Sequence, residues 1–183
     1  MVIIIIVVAI LLAIISFIVT NYNALIQLRN KVRDQFSQID VQLKKRADLI
    51  PNLVETIKGY TKHEKGTLED VVKARNTYLS ANSVEEKGKA DKEMTSALNK
   101  LFALAESYPD LKANTNFLDL QNQLKDIEEK ISYSRQFYND SVLAYNNKCE
   151  LIPSNIVAAL FHFEKAKFFE ATEEERKNVK VEF

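Results

Sequence analysis

Cysteine, tryptophan, glycine, proline and histidine are scarce in this chain of 183 residues. It has one Cys, no Trp, three Gly, three Pro and two His. A single cysteine, Cys149, cannot build a disulfide framework or a cysteine zinc site within one chain. So few glycines and prolines argue against an all-β or loop-rich fold. Lysine plus arginine equals aspartate plus glutamate, at 25 each, so we expect no nucleic-acid partner.

Charge is also absent from the beginning of the chain, where no charged side chain precedes Arg29. The residues from Val2 to Val19 form an apolar run that only Ser16 interrupts, long enough to cross a bilayer as a helix. A cleaved signal peptide and a buried core strand are the alternatives, but a strand would not run this long. Against a signal peptide, no basic residue precedes the run, and bulky residues follow where a cleavage site needs small ones. The sequence therefore predicts a retained anchor over residues 1–21.

Basic residues flank the apolar run on one side only. Arg29, Lys31 and Arg33 follow it, whereas the N-terminal side offers only the α-amino group. The positive-inside rule then predicts that the N-terminus lies outside and the C-terminal body in the cytoplasm.

The rest of the chain has the spacing of amphipathic helices. Apolar residues repeat in a first helix (Leu25, Val32, Phe36, Ile39, Leu43) and most clearly in a fourth (Phe117, Leu120, Leu124, Ile127, Ile131, Tyr138, Val142, Tyr145). Pro51 predicts a kink or turn at 47–51, followed by a second helix over about 52–79. Ser83 and Glu86 have the spacing of a capping box, which begins a third helix.

These helices predict an all-α fold. An N-terminal transmembrane helix continues into an antiparallel up-down-up-down bundle of four long helices, with a short C-terminal helix after it. The predicted parts are an anchor (1–21), a bundle (22–148) and a short amphipathic helix with an extended tail (149–183). A dimeric coiled coil would use the same heptads, but the short turns favour packing within one chain.

The stretch RADLIPNLVETIKGY, from Arg46 to Tyr60, resembles the signature of the LemA family of bacterial membrane proteins. Similarity continues through Ala74-Arg75, Leu120 to Glu128, Tyr138-Asn139, Tyr145-Asn146 and Pro153-Ser154-Asn155. The resemblance covers essentially the whole chain. It implies an N-terminal anchor, a helical-bundle body and a place in the bacterial cytoplasmic membrane, and no enzymatic activity carries over from it.

The residues themselves form no recognisable catalytic or metal-binding motif. His63 and His162 are far apart and have no HExxH spacing, so both are interpreted as surface residues. The Glu-x-x-His pairs of carboxylate-bridged metal sites are missing, as are a phosphate-binding glycine loop and GxSxG. We expect no enzyme, no cofactor, no metal and no small-molecule substrate.

Seven polar residues lie in the signature or beside the apolar faces: Arg46, Asp48, Asn52, Glu55, Arg75, Glu128 and Arg135. Arg135 fills a gap in the fourth helix, and buried charges cost free energy unless they are paired. We therefore predict a structural arginine–carboxylate network that sets helix register. A binding cleft lined by these groups is the alternative. Asp48 or Asn52 is predicted to cap the second helix.

The segment after Pro153 is rich in aromatic residues and lysine. Its candidate membrane contacts are Phe161, Phe163, Lys165, Lys167, Phe168 and Phe169. Four long helices would return the chain to the bilayer, where aromatic and lysine side chains suit the interface. A fifth helix that closes the bundle is the alternative. Residues 179–183 alternate like a strand, which predicts either docking on a sheet edge or a frayed tail.

The sequence predicts a non-enzymatic, membrane-anchored scaffold or adaptor that forms homo-oligomers or binds other membrane proteins. One alternative is a membrane-organising or membrane-shaping protein that uses the anchor and the C-terminal segment. A second alternative is a regulatory subunit of a membrane protease. The lipid bilayer is a predicted partner in each case.

Overall fold

The computed structural model describes residues 1–61 and 64–169. Its helices are α1 (Val2–Lys58), α2 (Lys65–Ser80), α3 (Val84–Ala105), α4 (Pro109–Lys112), α5 (Thr115–Glu150) and α6 (Ser154–Leu160). The described residues contain no strand, and the all-α prediction is confirmed. His63 and residues 179–183, for which the sequence predicts a surface side chain and a strand-like tail, lie outside the described ranges.

The chain divides into two compact units. The first unit contains residues 1–37 and 136–168. The second contains residues 38–135 and, among the described residues that follow, Phe169. Helices α1 and α5 each contribute residues to both units.

The second unit is a bundle in which successive long helices alternate in direction. Asp40 of α1 accepts a hydrogen bond from Tyr78 of α2, and Ala47 accepts one from Arg75. Position numbers rise along α1 while they fall along α2, so these helices are antiparallel. Asp40 also pairs with Lys87 of α3, and Arg46 pairs with Asp91. Position numbers rise together along α1 and α3, so α3 runs in the direction of α1.

Helix α5 completes the bundle by running antiparallel to α3. Phe102, near the end of α3, lies 6.3 Å from Phe117 at the start of α5, whereas Asp91 pairs with Arg135. The up-down-up-down order is thus confirmed. The buried seam of α5 matches its predicted heptads at Phe117, Leu120, Leu124, Ile131, Tyr138, Val142 and Tyr145.

The predicted helix boundary at 47–51 is wrong. Helix α1 continues through Pro51 and ends at Lys58, so neither Asp48 nor Asn52 caps a second helix. A proline inside a helix removes the N–H that would bond the carbonyl four residues earlier, here that of Ala47. Arg75 Nε donates to that carbonyl at 2.9 Å instead.

The capping box of α3 is confirmed. The Ser83 hydroxyl accepts a hydrogen bond from the Glu86 N–H at 3.1 Å, and the Glu86 carboxylate accepts one from the Ser83 N–H at 3.1 Å. These two bonds satisfy donors that the first helical turn leaves without partners.

In the first unit, α1 packs against the end of α5 and against the residue that follows α6. Phe36 lies 5.9 Å from Tyr138, and Tyr22 lies near Phe161, which follows α6. The apolar stretch of α1 is long enough to cross a membrane, and none of it is buried in the structure. Its exposed Ile, Leu and Val side chains are suited to lipid rather than water.

Helix α6 ends at Leu160 and is followed, two residues later, by the left-handed residue His162, whose φ is 55°. The Phe163 N–H donates to the Ala158 carbonyl at 2.9 Å, and the His162 N–H donates to Ala159 at 3.3 Å. This pair of bonds is a Schellman motif, which terminates the helix and redirects the chain. Residues 163–168, which we call the C-terminal strap, follow it.

The C-terminal strap is held by side chains of α5. Tyr145 donates its hydroxyl to the Glu164 carbonyl at 2.9 Å, and Tyr138 donates to the Lys167 carbonyl at 2.7 Å. Asn146 bonds both the N–H and the carbonyl of Ala166, each at 2.9 Å. These bonds satisfy backbone groups that have no partner in a regular element.

Candidate functional site

A buried ionic cluster lies in the second unit, centred on Asp91 of α3. Its Oδ1 accepts a hydrogen bond from Arg46 Nη1 at 2.9 Å, and its Oδ2 pairs with Arg135 Nη2. All three side chains are almost completely buried. The carboxylate therefore bridges two guanidinium groups that belong to different helices.

Further contacts complete this ionic cluster. Arg46 pairs with Glu128 Oε2 at 3.1 Å and donates to the Thr95 hydroxyl at 3.0 Å. The Arg135 guanidinium lies over the ring of Phe169, 5.2 Å from its centroid. Two arginines and two carboxylates balance in charge, which is the condition under which buried ions are tolerated.

The structure brings together three of the seven predicted network residues, Arg46, Glu128 and Arg135. Arg75 acts separately, on the carbonyl of Ala47. The other three are exposed: Asp48 pairs with Lys44 and Glu55 with Lys58, while the Asn52 carbonyl accepts a bond from Thr56. The ionic network is therefore smaller than the sequence predicts.

Sequence reasoning missed Asp91, the centre of the cluster. It lies in a strongly charged stretch at the start of α3, where a solvated side chain is the ordinary interpretation. Yet Asp91 continues the apolar register of Met94, Leu98 and Leu101 by one step of three residues. A charge in an apolar register was the available signal.

A pocket of about 410 Å³ opens beside the Arg46–Glu128 pair, with Asn99, Gln121 and Asn122 in its wall.

A polar contact away from the ionic cluster joins Asp40 of α1 to Tyr78 of α2. Burial, and then the hydrogen bond to the Asp40 carboxylate, raise the pKa of the Tyr78 hydroxyl well above its ordinary value.

A larger groove lies between the end of α1 and α2. Its volume is about 900 Å³. Val54 and Leu68, both buried, form its floor, and Val72 is partly exposed at its side. Lysine and glutamate side chains border it: Lys58, Glu64, Lys65, Glu69 and Lys73. An apolar floor with a charged border is the arrangement that receives an apolar segment of another chain.

The candidate membrane contacts lie in different environments. Phe161 is exposed beside Tyr22, with ring centroids 4.8 Å apart, and Phe163 is half-buried 5.7 Å from the same ring. Phe168 is exposed. Lys165 pairs with Glu150 at 2.6 Å, and Lys167 is exposed on the strap.

Phe169 does not lie on a surface. It is 3% exposed and belongs to the second unit, where it packs against Arg135. In an extended segment successive side chains point to opposite sides, so Phe168 and Phe169 separate although they are neighbours in sequence. The prediction that Phe169 contacts the membrane is therefore wrong, because its ring is buried.

The described residues hold no group of three or more His, Cys, Asp or Glu side chains that could bind a metal ion. Burial raises the pKa of the Cys149 thiol, which lowers the fraction of reactive thiolate at neutral pH. His162 is exposed and is the left-handed residue after α6.

Comparisons with known proteins place similar sequences beside this chain. A family model described as the LemA family matches residues 35–183. Protein LemA of Metamycoplasma hominis is 27% identical, over 86% of this chain and 72% of that protein. Magnetosome protein MamQ of Magnetospirillum gryphiswaldense is 22% identical, over 87% of this chain and 68% of its own length. Magnetosome protein MamQ 2 of Paramagnetospirillum magneticum is also 22% identical, over 87% and 69%.

Proposed function

Because this chain belongs to the LemA family and carries an exposed apolar helix of membrane-spanning length, we propose that it is a membrane-anchored scaffold or adaptor. It is a membrane-associated helical protein. In our proposal the apolar part of α1 anchors it, the body lies in the cytoplasm, and the helical bundle binds partner membrane proteins without catalysing a reaction.

The groove between α1 and α2 is the observation that carries this proposal. A volume of about 900 Å³ exceeds what one or two side chains fill, and its floor is apolar. A partner segment with apolar side chains at helical spacing would bury Val72 together with the floor residues. The lysines and glutamates at the border would then orient the partner by charge.

The buried ionic cluster supports the same function indirectly. It joins α1, α3 and α5 through charged hydrogen bonds, which are directional and which discriminate one helix register from another. Helix α2 is joined to α1 separately, by the Arg75–Ala47 and Tyr78–Asp40 hydrogen bonds. Helices held in this way present a pre-organised groove, and pre-organisation lowers the entropic cost of binding.

Site-specific photocrosslinking in native membranes tests the proposal. A photoreactive amino acid at Val72, in the groove, should capture a partner protein from the intact membrane. Val41 provides the matched control, because it is also a valine on a helix of the second unit, is similarly exposed and does not line the groove. The Val41 probe should capture nothing specific.

A charge in the groove gives a second readout. Val72→Glu should weaken capture of the identified partner at least tenfold without lowering helix content, whereas Val41→Glu should not. Equal capture from both probe positions, or capture that Val72→Glu leaves unchanged, would show that the groove is not the binding surface.

A further inference from the structure

An uncharged, apolar surface surrounds α6 in the first unit. No charged residue occurs from Leu151 to Phe161. One face of this segment is packed, with Ser154, Val157 and Ala158 buried. The opposite face leaves large side chains open: Leu151 is 62% exposed, Ile152 83%, Ile156 65%, Leu160 60% and Phe161 45%. We call these five side chains the α6 apolar surface.

Side chains of this size and type are normally buried in a soluble domain, and contiguous exposed apolar patches mark interaction sites. Packing within the first unit does not cover the α6 apolar surface, although it covers the other side of the same segment. Among residues 1–61 and 64–169, no packing covers this surface, so it is open to a partner.

The position of this surface identifies the partner. Phe161 packs edge-on against Tyr22 at 4.8 Å. Tyr22 is three residues beyond Val19, the last residue of the apolar run, which is about 5 Å along the helix axis. The headgroup layer on each side of a bilayer is itself about 5 Å or more thick. Tyr22 and Phe161 thus lie at headgroup depth when α1 crosses the membrane.

Charges begin on the side of this surface that faces away from the apolar run. The Arg29 guanidinium lies 5.2 Å from the ring centroid of Phe163, and Lys165 pairs with Glu150. Aromatic rings flanked by cationic groups are the arrangement that proteins place at the boundary between lipid and water. With increasing distance from the span, the side chains are first apolar, then aromatic and then charged.

We infer that the α6 apolar surface is a second membrane contact. Its five side chains insert into the bilayer leaflet from which α1 emerges: Leu151, Ile152, Ile156, Leu160 and Phe161. The occupant is lipid because the surface is continuous with the spanning helix through Tyr22. The C-terminal strap, bonded to Tyr145 and Asn146, holds this surface in a preformed position.

Fluorescence quenching of the full-length chain in vesicles tests the inference. Cys149, the only cysteine of the sequence, is replaced by Ser, and Ile156→Cys carries an environment-sensitive fluorophore. The vesicles contain phosphatidylcholine, phosphatidylglycerol and a lipid with a quencher near the top of its acyl chain. Phe137→Cys is the matched control, since Phe137 is 58% exposed in the same unit.

The control position lies well outside the headgroup layer. Phe137 adjoins Tyr138, which packs on Phe36, and Phe36 is 17 residues, or about 25 Å, beyond Val19. The lipid quencher should reduce the Ile156→Cys emission several-fold more than that of Phe137→Cys. Aqueous iodide should show the reverse order.

Each other outcome overturns the inference. Strong iodide quenching at Ile156→Cys without lipid quenching would place the surface in water. Protection from both quenchers would mean that a second copy or another protein covers it. Equal lipid quenching at both positions would show that the contact is not specific to α6. Circular dichroism of both labelled variants establishes that the helices are intact.

Discussion

The carbonyl oxygen of Ala47 accepts a hydrogen bond from Arg75 Nε at 2.9 Å. Pro51, four residues further along α1, has no N–H for that carbonyl. Since Ala47 is completely buried, an unsatisfied oxygen there would cost free energy. Arg75 supplies the missing donor, and α1 continues through its proline.

Replacing Arg75 should therefore destabilise the protein through a backbone group. Arg75→Met keeps the aliphatic part of the side chain and should lower the free energy of unfolding by about 1–3 kcal/mol, the cost of an orphaned buried acceptor. Urea unfolding of the full-length chain in detergent, followed by circular dichroism, measures it. Arg33→Met, at an exposed position, should change stability by less than about 0.5 kcal/mol.

A double-mutant cycle isolates the mechanism. Pro51→Ala restores an N–H at the position that faces the Ala47 carbonyl, so Arg75→Met should cost less in that background. We expect a coupling of about 0.5 kcal/mol or more between the two positions. The same cost in both backgrounds would mean that Arg75 acts through another contact.

The ionic cluster predicts a large effect at a position where sequence alone predicts a small one. Asp91→Ala leaves Arg46 and Arg135 buried without their shared carboxylate, and should cost about 3–5 kcal/mol. Asp48→Ala removes the same side chain from an exposed pair with Lys44 and should cost at most about 1 kcal/mol. Similar small losses in both variants, measured by urea unfolding, would contradict the burial of the cluster.

Tyr145 predicts a change of stability at alkaline pH. Burial raises its pKa to about 12, compared with about 10 in an unfolded chain. Folding therefore disfavours the phenolate, and the contribution of the neutral hydroxyl is complete below about pH 10 and is lost as the pH approaches 12. Wild-type stability should fall more steeply over this window than that of Tyr145→Phe.

The same variant tests the bond to the C-terminal strap. At neutral pH Tyr145→Phe should be less stable by about 1 kcal/mol, because the Glu164 carbonyl loses its hydroxyl donor. The difference from wild type should shrink as the pH rises. Parallel pH profiles for the two proteins would show that Tyr145 does not titrate differently in the folded state.

The proposed orientation can be tested in intact bacterial cells. In a Cys149→Ser background, Asn82→Cys at the exposed α2–α3 turn should resist a maleimide that cannot cross membranes, and should react after permeabilisation. Val2→Cys, at the other end of the anchor, should react in intact cells. Efficient labelling of Asn82→Cys without permeabilisation would reverse the orientation.

Local signals predict the parts of the fold that local contacts determine. The capping box of Ser83 and Glu86 spans three residues, and the α5 heptads depend only on helical spacing. The break at Pro51 was predicted wrongly because the donor that rescues Ala47 is 28 positions away. Nothing in the neighbourhood of the proline indicates that donor.

The candidate site was harder to predict for the same reason. Asp91 has partners 45 and 44 positions away in Arg46 and Arg135, and its neighbours in sequence are charged. Phe168 and Phe169 are adjacent in the sequence, but their side chains point to opposite sides of an extended segment. Which of the two is buried depends on how that segment packs in the folded protein. Such pairings depend on tertiary structure, which periodicity does not describe.

The absence of a break in α1 between Val19 and Leu25 has a mechanical consequence. Successive residues of a helix are rotated by about 100° about its axis. The directions of the side chains in the span are therefore fixed relative to the buried Leu25 and Val32 of the same unit. A neighbouring helix that packs on one side of the span would therefore set the rotational orientation of the first unit about the axis of α1. One residue inserted before Leu25 would turn the span by about 100° against that unit. The continuous helix thus fixes the rotational orientation of the apolar stretch relative to the rest of the first unit.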